Sequence, residues 1–275
     1  MSNWISNVFS FVWNGFEPPA EPPTVRKFPL KPDKPDTRDY HVDGLLLSLN
    51  KLSVEIEPLA GSVYDPRIQV KDQKSSGSCT GQSAANGLRE AYLAQGLDCP
   101  DLSALFAYYG GRELEGTANS DDGAFLRDII KTFQQVGECP ESAWPFNEKK
   151  VLVAPSWSAY RAAIARRGTR KYYRIPTKVA STVPNVKKLL AAKIPVIGGW
   201  AVDQSIMDEN RVEPQDVCSG PSLGGHAMLI EGFNLDTFDM LNSWGKSYRQ
   251  GGRFKATRKF IQSATDLWAV DVRTT

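Results

Sequence analysis

Four residues stand out in this 275-residue chain because their types and order could run one reaction: Gln73, Cys79, His226 and Asn242. Cys79 closes the polar stretch "KDQKSSGSC" and opens the helix-like run "CTGQSAANGL". At the first residue of a helix, unpaired backbone N–H groups and the positive end of the dipole favour a thiolate, with a pKa below the free value of about 8.5. Gly77 lets the chain approach closely there, and Ser78 suits a cap. The competing reading is an inert half-buried cysteine, the ordinary fate of a free thiol. The chain has only two histidines, His41 and His226, so any imidazole chemistry must use one of them. His226 lies in "GGHAMLIEGF", at the start of a predicted core strand, with Gly224 and Gly225 leaving room beside it. It is either a hydrogen-bonded strand-end residue or a base. Asn242, in "LNSWG", is either turn chemistry or the acceptor that fixes an imidazole tautomer. Trp244 either shields that bond from water or packs a core. The Gln73 amide either lies on a surface loop or donates to an oxyanion.

The elements that must hold these residues follow from patterning. Hydrophobic content of 41% and charged content of 23% describe an ordinary globular chain long enough for a large core. A net charge of +2 gives no reason to expect a nucleic-acid partner. No apolar run reaches bilayer length. The four cysteines, Cys79, Cys99, Cys139 and Cys218, form no CxxC pair, which argues against zinc and against a dense disulfide framework. Helices are predicted from Cys79 to about Gly96, over Leu102 to Leu114, and over Asp122 to Gly137. The second half turns to short β-branched or aromatic runs: "KYYRI", "IPVIGGWAV", "HAMLIEGFN", "TFDMLNSW" and "LWAVDV", interrupted by one helix, "VPNVKKLLAAK". Helices followed by strands indicate an α+β chain of two lobes with a site between them.

The first 42 residues differ. Trp4, Val8, Val12 and Phe16 recur at helical spacing opposite Ser6, Asn7, Ser10 and Asn14, so residues 1–17 are expected to form an amphipathic helix. Its stripe can be covered by the domain, by a membrane or by a partner protein. It lacks the positive start and cleavage site of a signal peptide, leaving the cytoplasm as the default location, and it lacks the basic residues of interfacial helices. A proline-rich tether is expected over 18–42.

Taken together, "VKDQKSSGSCTGQSAANGL", "GGHAMLIEGF" and "LNSWGKSYRQGGRF" resemble the three signature blocks of papain-family, cathepsin-like cysteine peptidases. The order Cys, His, Asn, with roughly 150 residues between the first two, is that of papain-type enzymes. Thr80 after the cysteine and the blocks "TRDY", "YYGGRELEGTANSDDGAFLRDIIKTFQQVGECPESAWPF" and "SATDLWAV" are most similar to a branch found in bacteria and viruses. The resemblance spans roughly residues 37 to 272. It implies a papain-like α+β fold over 43–275, with a helical left lobe (about 43–150), a β-rich, barrel-like right lobe (about 151–275) and a cleft between them. It implies peptide-bond hydrolysis with Cys79 as nucleophile, His226 as base and then acid, Asn242 as its orienter and Trp244 in support. Gln73 with the Cys79 N–H would form the oxyanion hole, and Asp122, Gly123 and Gly225 would contact a peptide or protein substrate. No metal or organic cofactor is implied.

The chain also departs from the pattern. Secreted members carry a cysteine where Ser76 stands and a tryptophan where Thr80 stands, so one disulfide is not expected. A long helical inhibitory pro-segment is not evident. Residues Trp4 to Phe16 lie outside the family pattern and are expected to dock onto a protein assembly, such as a virion. Two rival readings are a papain-fold structural component and a Cys–His hydrolase of cell-wall peptides.

Overall fold

The structure is a computed structural model and describes residues 24–50, 57–168 and 171–273. The stripe at Trp4 to Phe16 lies outside the described residues. In chain order the elements are α1 (Val42–Asn50), β1 (Ala60–Ser62), α2 (Cys79–Ala94), α3 (Ala104–Glu115), α4 (Leu126–Gln135), α5 (Trp157–Ile164), β2 (Lys171–Arg174), α6 (Thr182–Ala191), β3 (Val196–Val202), β4 (Gly224–Asn234), β5 (Thr237–Leu241), β6 (Arg253–Thr257), α7 (Arg258–Gln262) and β7 (Asp266–Asp271). The predicted helices and strands are present. The short elements α1, β1, α5, β6 and α7 were not predicted.

α2 is buried on nearly every side because its residues are small. A side chain at Gly81 would collide with the Ala104 carbonyl, and one at Gly87 with Ile197 of β3. α2 therefore wedges between α3 and the sheet, close enough to set Cys79 against β4. α3 starts on the Ser103 hydroxyl, which accepts from the Phe106 N–H, and ends at Gly116 in the left-handed region.

The strands form one antiparallel sheet in the order β2-β7-β3-β4-β5-β6, with β1 on the far half of β4. Side chains of β4 alternate between two cores. Ala227 and Leu229 face α2, α3 and α4, whereas Met228 and Ile230 join Val186, Leu189 and Phe260 of α6 and α7. Helices thus cover both faces of the sheet.

The barrel-like closure expected for the β-rich half does not form. β2 and β6 are the two ends of the strand path and do not pair with each other. Each meets a single crossing segment instead. The Arg174 N–H donates to the Tyr40 carbonyl, and Gln215 bridges Lys255 and Thr257 through its backbone. Short segments thus occupy part of each edge where closure would need the two strands to meet. The two-lobe α+β arrangement stands, built on an open sheet.

Candidate active site

Cys79 is the first residue of α2 and is fully buried. The Ala227 N–H, next in sequence to His226, bonds towards its sulfur. His226 is the third residue of β4, paired with Trp200 of β3 on one flank. β5 begins only opposite Leu229, and the other flank at this end of the strand meets residues 28–30 through Gly225. Its Nε2 lies 2.8 Å from Asn242 Oδ1, and the same oxygen accepts the Ser243 N–H at 2.8 Å. The Ser243 N–H can only donate, so it identifies that atom as the amide oxygen. The ring must then donate from Nε2. Nδ1 becomes the lone-pair nitrogen of the neutral imidazole, and it is buried without a hydrogen-bond partner among the described residues. The Trp244 ring lies 4.9 Å from the His226 ring, tilted by 31°. His41 instead bridges Arg174 at the sheet edge.

Gln73 is buried and pinned. Its Nε2 donates to the Ser76 carbonyl at 2.9 Å, its Oε1 accepts from the Ser243 hydroxyl at 2.7 Å, and its backbone N–H donates to the Ser243 carbonyl at 2.9 Å. Ser243 thus orients both Gln73 and Asn242. Sequence reading passed over it, although it sits between two singled-out residues in "LNSWG". It also passed over Asp121, whose carboxylate accepts the Gly77 N–H at 2.9 Å and the Tyr108 hydroxyl at 2.8 Å. Tyr108 in turn accepts the Gly123 N–H at 3.1 Å. This chain of bonds ties the loop before Cys79 to the opposite wall.

Residues 24–30 lie across these groups as an extended strap. The Gly225 N–H donates to the Phe28 carbonyl at 2.9 Å, and the Leu30 N–H donates to the Gly225 carbonyl at 3.0 Å. Pro29, which has no N–H, falls between the two bonding positions. The Phe28 ring meets the His226 and Trp244 rings edge-on, each at 5.9 Å. The backbone passes so close that a side chain at Gly225 would collide with the Leu30 carbonyl, and one at Gly123 with the Pro29 carbonyl. Gly123 also sits at φ +83°, which a side chain would strain. Asp122 is exposed and lines, with Pro29, Lys31 and Glu115, a cavity of about 70 Å³ beside the strap. Gln73, Cys79, His226, Asn242 and Trp244 converge, while Asp122, Gly123 and Gly225 border the strap.

Burial sets the electrostatics of this covered state. It pushes the Cys79 thiol up to about 11, and backbone N–H groups of Ala227, Thr80 and Cys79 offset only part of that. It draws His226 down to about 4; the Asn242 hydrogen bond opposes the shift and the Arg26 guanidinium adds to it. Thiol and imidazole are therefore both neutral under the strap. Cys79 does begin the helix, but desolvation outweighs the helix-terminus field that favours a thiolate.

A peptidase C1-like protein of Acanthamoeba polyphaga mimivirus is 30% identical over 271 residues, covering 89% of this chain and 86% of that protein. This chain belongs to the papain-like C1 family of cysteine peptidases. Xylellain, a cysteine protease from Xylella fastidiosa, superposes with a TM-score of 0.77 at 28% identity, over 90% of this chain and 98% of that one. Bromelain from Ananas comosus shares the fold, with a TM-score of 0.62 at 16% identity over 78% of this chain and all of that one. No family profile matches the chain. The C1 peptidase is thus a hydrolase acting through cysteine chemistry, with near relatives in a virus and a bacterium. No helix among its described residues is long and apolar enough to cross a membrane.

Proposed function

We propose that Cys79 is the nucleophile of this peptidase, His226 its general base and acid, Asn242 the orienter of the ring, and Gln73 with the Cys79 N–H the oxyanion hole. The observation that carries this reading is the tautomer. With Nε2–H committed to Asn242, the free Nδ1 is the one nitrogen able to take the thiol proton. The thiolate attacks the substrate carbonyl carbon, and the oxyanion forms against Gln73 and the Cys79 N–H. His226 returns the proton to the leaving amine, a thioester remains, and water deprotonated by His226 releases the acid. None of these steps calls on a metal or an organic cofactor. Asp122, Gly123 and Gly225 are the proposed peptide contacts, since the chain's own strap fills the slot that Gly123 and Gly225 flank and Asp122 lies at its edge.

Gln73→Ala is expected to lower kcat by about 10²–10³-fold while leaving measurable turnover, because one oxyanion donor is lost and the nucleophile remains. Steady-state kinetics on a peptide substrate reads this, and wild-type turnover would remove Gln73 from the site. The stripe Trp4 to Phe16 is proposed to dock the C1 peptidase onto a protein assembly. Several large apolar side chains at roughly 1.5–3 kcal/mol each give a partner useful affinity. Changing Trp4, Val8 and Val12 to serine should then abolish co-sedimentation with that assembly; retained co-sedimentation refutes the docking.

A further inference from the structure

The strap carries Arg26 into a site made for a guanidinium. Arg26 donates to Asp72 Oδ1 at 2.8 Å, to the Lys74 carbonyl at 3.2 Å and to the Trp244 carbonyl at 3.3 Å. Its guanidinium also lies 5.6 Å from the centre of the Trp244 ring. The two segments supplying these groups are paired, since Asp72 and Trp244 form an antiparallel bridge. The fold itself therefore holds the receptor groups side by side. Hydrogen bonds from Arg26 and Lys74 outweigh burial and hold the Asp72 carboxyl below its ordinary range. A carboxylate, two carbonyls and an indole face are the partners a planar, five-donor cation needs. The neighbouring pair, Lys27 with Asp121, is a weaker candidate. Lys27 is 48% exposed, whereas the Arg26 side chain is 9% exposed.

We infer that Asp72, with the Lys74 and Trp244 carbonyls, is a specificity site of the C1 peptidase that selects peptides placing an arginine beside the Trp244 side of the catalytic pair. The inference rests on the site roles proposed above. The same indole stacks on His226, so a guanidinium held there lies one ring away from the base. When the strap leaves, Asp72 keeps Lys74, whose N–H donates to Oδ1 at 2.9 Å and whose Nζ lies 2.9 Å from Oδ2. A substrate arginine then restores the bonds that Arg26 made to Oδ1 and to the two carbonyls.

The test uses the full chain and one peptide in which arginine is walked through the three positions on each side of the scissile bond. Each peptide has a twin with citrulline, which keeps the shape and loses the charge. At one position the ratio of kcat/KM, arginine over citrulline, is expected to reach tenfold or more and to fall in 0.5 M salt. Asp72→Asn should return that ratio to near one. Because both twins meet the same protein, loss of folded enzyme cancels from the ratio. If the strap makes turnover too slow to read, the same ratio is taken from Cys79 labelling rates with the twins carrying an epoxide. Ratios near one at every position, or a ratio that survives Asp72→Asn, overturn the proposal. Failure of both twins to react at Cys79 while another thiol is labelled would instead overturn the nucleophile assignment on which it rests.

Discussion

Cys79→Ala and His226→Ala are each expected to lower peptide hydrolysis by about 10⁴-fold or more, the scale seen when either member of a nucleophile–base pair is lost. The Cys79 change removes the atom that bonds to the substrate. The His226 change removes both the acceptor of the thiol proton and the donor to the leaving amine. The two act as one unit, so the double variant should be no worse than either single variant. Asn242→Ala should cost less, because Asn242 fixes the ring by its 2.8 Å bond and transfers no proton. Initial rates on a peptide substrate, with circular dichroism to confirm folding, provide the measurement. A folded Cys79→Ala protein with residual hydrolysis near the wild-type rate would mean that the reaction runs elsewhere.

The second large effect lies in the strap. Leu30 is only 5% exposed and Phe28 packs on His226 and Trp244, so the double change Phe28→Ala, Leu30→Ala removes about 3 kcal/mol or more of burial from the covered state. At 1.4 kcal/mol per decade, Cys79 alkylation near pH 7 should accelerate about 10²-fold. The pH profile should move as well. A thiol whose pKa is raised to about 11 is almost wholly protonated at pH 7, and its thiolate fraction grows tenfold with each pH unit up to that value. Without the strap, water returns, the Arg26 charge leaves His226, and the helix start again favours the thiolate. The labelling curve should therefore shift towards acid. In the unaltered chain Cys79 should lag behind Cys218, which is a free and only partly buried thiol. Pulsed alkylation followed by peptide mapping measures both, and equal Cys79 rates with and without the two changes would sink the idea that the strap controls access.

The residues of the proposed site could be singled out because their signals are local. Small residues in "CTGQSAANGL", two glycines before His226 and an asparagine ending a strand each announce their own geometry. The strap could not. Prolines in "EPPTVRKFPLKPDKPDTRDY" read as a spacer, yet Phe28 and Leu30 flank Pro29 at the spacing of an edge pairing with Gly225. The partners of Arg26 and Lys27, at Asp72 and Asp121, are fixed only when the chain has folded. The open sheet was equally hidden. Strand runs predict strands, but whether β2 meets β6 depends on which segments reach the two edges, here those around Tyr40 and Gln215.

The position of His226 on β4 has a consequence for how this protein waits. β4 is paired on one flank with β3 from Gly224 to Ile230 and with β1 over its last three residues, and on the other with β5 from Leu229 onward, and α2 lies buried against it. Amides in such places exchange with solvent only when the whole domain unfolds, whereas a strap bonded through single residues exchanges by local fraying. The proposed base is thus anchored by the sheet on its β3 side, and its amide should exchange more slowly than those of the cover, which is held at a few points. Uncovering should then need no refolding of the sheet, since Cys79 on α2 and His226 on β4 are placed by elements beneath the strap.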